Sequence, residues 1–122
     1  MHSYSALRPA SRAVRGEKPR SAFLVWKESG PEWDPRRARR EQEGWDEHAE
    51  FMDALVDSGL VVLGGPVGNG RRVLLVCEAS DEDAVRARLA ADPWVGTILS
   101  VTAVEPWQVL LDGRRAATRP CG

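Results

Sequence analysis

The chain has 122 residues, 43% hydrophobic and 29% charged, with a formal net charge of −1 at pH 7. That length supports one domain with a real core and excludes two ordinary ones. The near-neutral charge sets up no global field for nucleic acid or an anionic membrane, and no apolar run approaches the roughly 20 residues that span a bilayer.

Residues 1–19 carry two prolines, an excess of positive charge and no hydrophobic period, which describes a tail. They lack the apolar stretch of a secretory signal, and a disordered extension fits them better than a mitochondrial-type presequence. Residues 20–27, RSAFLVWK, form a continuous apolar run with Phe, Val and Trp and read as a strand buried on both faces. Gly30, Pro31 and Pro35 then break any regular element, so a long connection follows, ending in Arg36, Arg37, Arg39 and Arg40.

Residues 41–58 read as an amphipathic helix. At about 100° per residue, Trp45, Ala49, Phe51, Met52, Leu55 and Val56 share one side, and Glu43, Asp46, Glu47, Glu50, Asp53 and Asp57 the other. His48 falls among the apolar residues. An imidazole there either satisfies a local hydrogen bond in the core or lines a pocket. Gly59 is placed to stop the helix in the left-handed region.

Residues 60–65 read as a strand closed by Pro66, and residues 71–78 as its hairpin partner across Gly68-Asn69-Gly70. Ser80 is the expected N-cap of a second helix that buries Ala84, Val85, Ala87 and Leu89 and ends at Asp92-Pro93. Residues 97–105 form the last strand, 109–111 a short additional one, and 114–122 a basic tail.

The order β-α-β-β-α-β over residues 20–113 predicts an α+β, ferredoxin-like domain: a four-stranded antiparallel sheet with both helices on one face. The strands at 21–26 and 72–77 are apolar on both faces, so the uncovered face is expected to bury against a second copy as a homodimer. Cys77 and Cys121 make no disulfide framework and read as free thiols in a reducing cytoplasm. Phosphate-binding glycine motifs are missing, the histidine and cysteine spacings suit no zinc site, and no serine or cysteine sits in a nucleophile motif. Reactivity at Cys77 depends on its surroundings.

Several pieces belong together: His48 within WDEHAEF, Gly59 after the helix, Gly65-Pro66, Asp92-Pro93-Trp94, and Glu105-Pro106-Trp107. In this order and spacing, over about residues 21–108, the chain resembles the YCII-related (YciI-like) domain family of dimeric α/β barrels. The resemblance implies a catalytic pair, His48 and Asp92, in which the carboxylate fixes the imidazole tautomer and stabilises the imidazolium. Asp92 is equally a residue that ends a helix in an Asx-Pro turn, and the two roles are compatible.

Trp45 and Trp94 are candidate walls of a substrate pocket, against the alternative that both are core. Gly65 and Pro66 are candidate substrate contacts, against a sharp turn or bulge at the strand end. Family members often carry a basic residue one turn before the histidine, where this chain has Trp45. Arg37, Arg39 or Arg40 supply that charge from the connection, or the stretch is simply solvated.

Two functions follow as expectations. One is a small cofactor-independent enzyme with lyase-, isomerase- or dehydrochlorinase-like proton chemistry on a small, aromatic or hydroxylated substrate. The other is a non-catalytic ligand-binding or regulatory domain with the tails as contact arms. The separation of His48 from Asp92 discriminates between them.

Overall fold

The computed structural model describes residues 20–114. The N-terminal tail, the C-terminal tail beyond Arg114, and Cys121 lie outside the described residues. Four strands alternate with two helices: β1 (Ser21–Ser29), α1 (Trp45–Asp57), β2 (Val61–Val67), β3 (Arg72–Ala79), α2 (Glu82–Leu89) and β4 (Leu99–Trp107). The strands form one antiparallel sheet in the order β2-β3-β1-β4. This is the expected α+β, ferredoxin-like arrangement.

Strand alternation decides what each face carries. On β1, Phe23, Val25 and Lys27 point one way and are buried, while Leu24 and Trp26 point the other and are half-buried. Leu75, Cys77 and Val104 join Phe23 and Val25 from the sheet. Leu55 of α1 and Val85 and Leu89 of α2 close over them in one cluster, so both helices lie on the same face. The opposite face is open and apolar, with Leu63 at 60% and Trp107 at 43% exposure.

Several boundaries differ from the sequence expectation, each for a local reason. Helix α1 starts at Trp45 rather than residue 41 because Gly44, at φ 80°, turns left-handed and cannot continue a helix backwards. A short 3₁₀ turn, Arg39–Glu41, occupies the preceding stretch. The helix ends as expected at Gly59, φ 87°. The Leu60 amide donates to the Leu55 carbonyl at 3.1 Å and the Gly59 amide to Val56 at 3.0 Å, a Schellman closure. Val56 ends up 53% exposed despite its place on the apolar side.

Pro66 does not close β2. It lies inside the strand opposite Val73, tolerated because β2 is an edge strand and needs no donor on its outer side. Asp81, not Ser80, caps α2, accepting from the Ala84 amide at 2.8 Å. Ala87 is exposed rather than buried. The last strand begins two residues late because Thr97 is spent in a turn, where its hydroxyl donates to the Trp94 carbonyl at 3.1 Å. Residues 109–111 form no strand, and Leu110 and Leu111 are exposed.

Cys77 is fully buried, and burial pushes its thiol up to about 11. The thiolate is the nucleophile, so this side chain is inert in the folded protein. Cys77 is therefore expected to react with a thiol reagent only at the rate of opening, and labelling followed by mass spectrometry with and without denaturant checks this. Prompt modification of Cys77 in the native protein, located by peptide mapping apart from Cys121, would refute it.

Candidate active site

The site is assembled from three parts of the chain around one carboxylate. Asp92 follows α2 in an Asx turn: its Oδ1 accepts from the Trp94 amide at 2.9 Å. Pro93 separates the two residues and prevents the helix from running on. The same carboxylate meets His48 of α1, whose Nδ1 lies 2.9 Å from Oδ1 and 3.0 Å from Oδ2. Asp92 is 3% exposed and His48 is 7% exposed. The Asx turn and the histidine contact therefore coexist on one side chain.

A third partner was not expected from the sequence. Lys27 of β1 is 1% exposed, and its Nζ lies 3.5 Å from Asp92 Oδ2. Its other contact is Met52 Sδ at 3.9 Å. The signal for Lys27 was present in the alternation, because Phe23, Val25 and Lys27 continue one face of β1 toward the helices. Reading residues 20–27 as buried on both faces concealed it.

Burial works against an ionised Asp92. The hydrogen bond from His48, that from the Trp94 amide, and the charges of His48 and Lys27 outweigh it and hold the carboxyl below its usual range. For Lys27, burial dominates and lowers the ammonium from its ordinary value, with Asp92 opposing only in part. An ionised carboxylate can only accept, so Nδ1 of His48 carries a proton and donates it. Nε2 is then the free basic nitrogen. Among the described residues no buried side-chain nitrogen lacks a partner, so Nε2, which has none, meets solvent.

The ring is fixed from behind. Trp94, 1% exposed, stacks on the imidazole with centroids 4.1 Å apart and planes 8° from parallel. The indole N–H donates to the Glu43 carbonyl at 2.8 Å, which locks the platform in place. Gly44 leaves room for it: a Cβ there would stand 3.2 Å from Trp94 Nε1. Trp45 completes the aromatic group, 5.9 Å from the imidazole and 5.7 Å from Trp94.

In front of His48 lies a cleft of about 220 Å³. Trp45, Gly65 and Pro66 border it, along with Lys27, Arg39 and Met52. Asp92 and Trp94 do not. Trp94 was expected on the cleft wall, but stands behind the imidazole because the Asx turn at Asp92 directs the chain under α1. Gly65 and Pro66 lie within a regular strand, in neither a turn nor a bulge. A Cβ at Gly64 would come within 2.6 Å of Leu75 Cδ2, so the buried Leu75 side chain would have to shift.

Of the basic stretch, Arg39 alone reaches the cleft, whereas Arg37 and Arg40 are exposed. Buried Gln42 selects it. Its amide donates to the carbonyls of Asp34 at 2.8 Å and Arg37 at 2.9 Å and accepts from the Asp34 amide at 2.9 Å, shaping the connection. Arg39 is then held by the Gly70 carbonyl at 3.1 Å. Gln42 carried no sequence signal, because a polar residue in the first turn of the expected helix is ordinarily solvated. Among the described residues, no three His, Cys, Asp or Glu side chains group as metal ligands would.

Residues 22–108 match the YCII-related domain. The chain belongs to the YCII-related domain family. No curated protein and no solved structure matches it. The matched span of this YCII-related chain contains β1 from its second residue, the other three strands, both helices, and Lys27, His48 and Asp92. No helix among the described residues is long and apolar enough to cross a membrane.

Proposed function

We propose that this YCII-related protein is a small enzyme that moves a proton on a small substrate held in the cleft. His48 Nε2 takes and returns the proton, and Asp92 orients the ring and balances the imidazolium. The observation that carries the reading is the convergence of a buried carboxylate on Nδ1 at 2.9 Å, while Nε2 has no hydrogen-bond partner and meets solvent on a residue that borders the cleft. A purely structural histidine would bury both nitrogens against fixed partners. The stacked Trp94 favours the same reading, since an indole face stabilises a cation over it.

The reaction class that fits is lyase- or isomerase-like proton transfer, including loss of a halide from a carbon next to an acidic C–H. Trp45, Met52 and Pro66 offer an apolar border for a planar substrate. The test is solvent-deuterium incorporation into a panel of small hydroxylated aromatic compounds and 2-hydroxy acids, compared between the native chain and His48→Gln. Catalysed exchange that His48→Gln leaves intact would overturn the reading.

We further propose that two copies associate through the open sheet face, as the resemblance to dimeric barrels implies. Leu24, Trp26, Leu74, Val76 and Ala103 share that face by strand register with Leu63 and Trp107. A stable interface needs roughly 1,200–2,000 Å² in total. Sedimentation velocity is expected to give a dimer at micromolar concentration. Leu63→Glu should produce monomers without a folding cost, because Leu63 is 60% exposed in the single chain. A monomeric native protein would refute the association.

A further inference from the structure

We propose that the cleft binds a weak organic acid as its anion, with Lys27 holding the negative charge and His48 Nε2 receiving the acid's proton. The inference rests on the proton-transfer reading of His48 and adds the substrate's chemical class.

The first support is a shortage of acceptors. An ammonium has three N–H donors. Lys27 directs them at one carboxylate oxygen 3.5 Å away and one thioether sulfur 3.9 Å away, both long. It is nevertheless almost wholly buried and borders the cleft. An anionic oxygen entering from the cleft completes its coordination.

The second support is charge balance. One carboxylate, Asp92, faces two bases, Lys27 and His48. With Nε2 unprotonated, Lys27 and Asp92 cancel and His48 is neutral. A proton placed on Nε2 alone would leave the single carboxylate of Asp92 to balance two cations, Lys27 and the imidazolium. Binding an acid resolves this. Its O–H bond breaks, its electron pair stays on oxygen, an N–H bond forms at Nε2, and the net charge of the site does not change.

The other groups around Lys27 are consistent with this arrangement. Arg39 approaches from the 3₁₀ turn and adds a second positive charge on the cleft. Cys77 of β3 stays a neutral thiol. Asp53 of α1 borders the cleft but is exposed, so water screens it. Apolar Trp45, Met52 and Pro66 accept the body of the acid, which points to a phenol- or enol-type molecule of about one ring.

The experiment uses the full chain and 4-nitrophenol, whose absorption reports its own ionisation. 4-Nitroanisole, its methyl ether, lacks the acidic proton and is the control. The bound phenol's apparent pKa is expected to fall by about one unit or more, equal to a tenfold or greater preference for the anion. 4-Nitroanisole is expected to bind at least tenfold more weakly than the phenolate, by the same factor. Lys27→Met should return the bound probe to its solution pKa. His48→Gln should keep the anion preference above that pKa, because Lys27 remains.

A bound probe that keeps or raises its solution pKa overturns the inference, as does equal binding of the two compounds or no binding of the phenolate. These outcomes come from the native chain and hold even if Lys27→Met fails to fold. They are also separate from the proton-transfer reading. Catalysed exchange lost in His48→Gln together with an unshifted probe would sink the anion site alone. A shifted probe together with exchange that survives His48→Gln would sink the catalytic role alone.

Discussion

His48→Gln is expected to leave the protein folded and to lower proton-transfer turnover by about 10²–10⁴-fold, the usual contribution of a positioned acid–base group. Glutamine is planar at its end, can lie against Trp94, and can donate an amide N–H to Asp92, so the buried carboxylate keeps a partner. The loss therefore falls on chemistry: an amide neither accepts nor returns a proton near neutral pH. Thermal unfolding should move by only a few degrees, as for a change within about 1 kcal/mol. The exchange assay and the melting curve must be taken together. A large drop in stability would make His48 a packing residue, and turnover within tenfold of the native value would remove it from the mechanism.

The largest effect on stability is expected at Asp92. Asp92→Asn keeps an acceptor for the Trp94 amide but removes the charge that Lys27 requires. Breaking a buried ion pair from one side costs about 3–5 kcal/mol, because the remaining charge is left uncompensated. For a domain near 100 residues that corresponds to a fall in melting temperature on the order of 15 °C or more. Adding Lys27→Met should restore much of the loss, since removing both charges removes the uncompensated one. If Asp92→Asn and Asp92→Asn/Lys27→Met melt together, Lys27 is not coupled to Asp92. Turnover should fall as well: an amide N–H facing Nδ1 moves the histidine proton to Nε2, which blocks the base.

The pH dependence of stability follows from the same carboxylate. The folded pKa of Asp92 lies below its ordinary value of 3.8. Its contribution is therefore complete above the unfolded pKa and is lost as pH falls through the lower, folded one. Lys27 acts at the other end. Its folded pKa lies below 10.5, so the unfolded chain holds more protons between the two values, and stability rises with pH across that window. Asp92→Asn should flatten the acid limb of a denaturant-midpoint curve measured against pH. An unchanged acid limb would mean that other carboxylates govern acid unfolding.

Much of this fold was legible along the chain. The apolar runs of β1 and β3, the 3.6-residue period of α1, Gly59 beyond its end and the Asp92-Pro93 stop each act over a few residues, so local sequence suffices to place them. The misplaced edges have equally local causes in retrospect: left-handed Gly44 shortens α1, and an edge strand accommodates Pro66. The open sheet face was legible as well, because a four-stranded sheet with both helices on one side leaves the other apolar set uncovered.

The sequence by itself determined the element order, that both helices cover one sheet face, and, through the family's motif, that His48 and Asp92 were the pair to compare. Tertiary structure alone decided that they stand 2.9 Å apart, that Lys27 shares the carboxylate, and that Trp94 backs the imidazole instead of bordering the cleft. It also decided that Arg39, rather than its neighbours, reaches the cleft. The physical reason is the range of the signal. Periodicity reports which way a side chain points, because backbone geometry repeats every two or 3.6 residues. It does not report what stands opposite. His48 and Asp92 are 44 positions apart, and Lys27 and Asp92 are 65 apart. Their meeting depends on how two helices settle on one sheet.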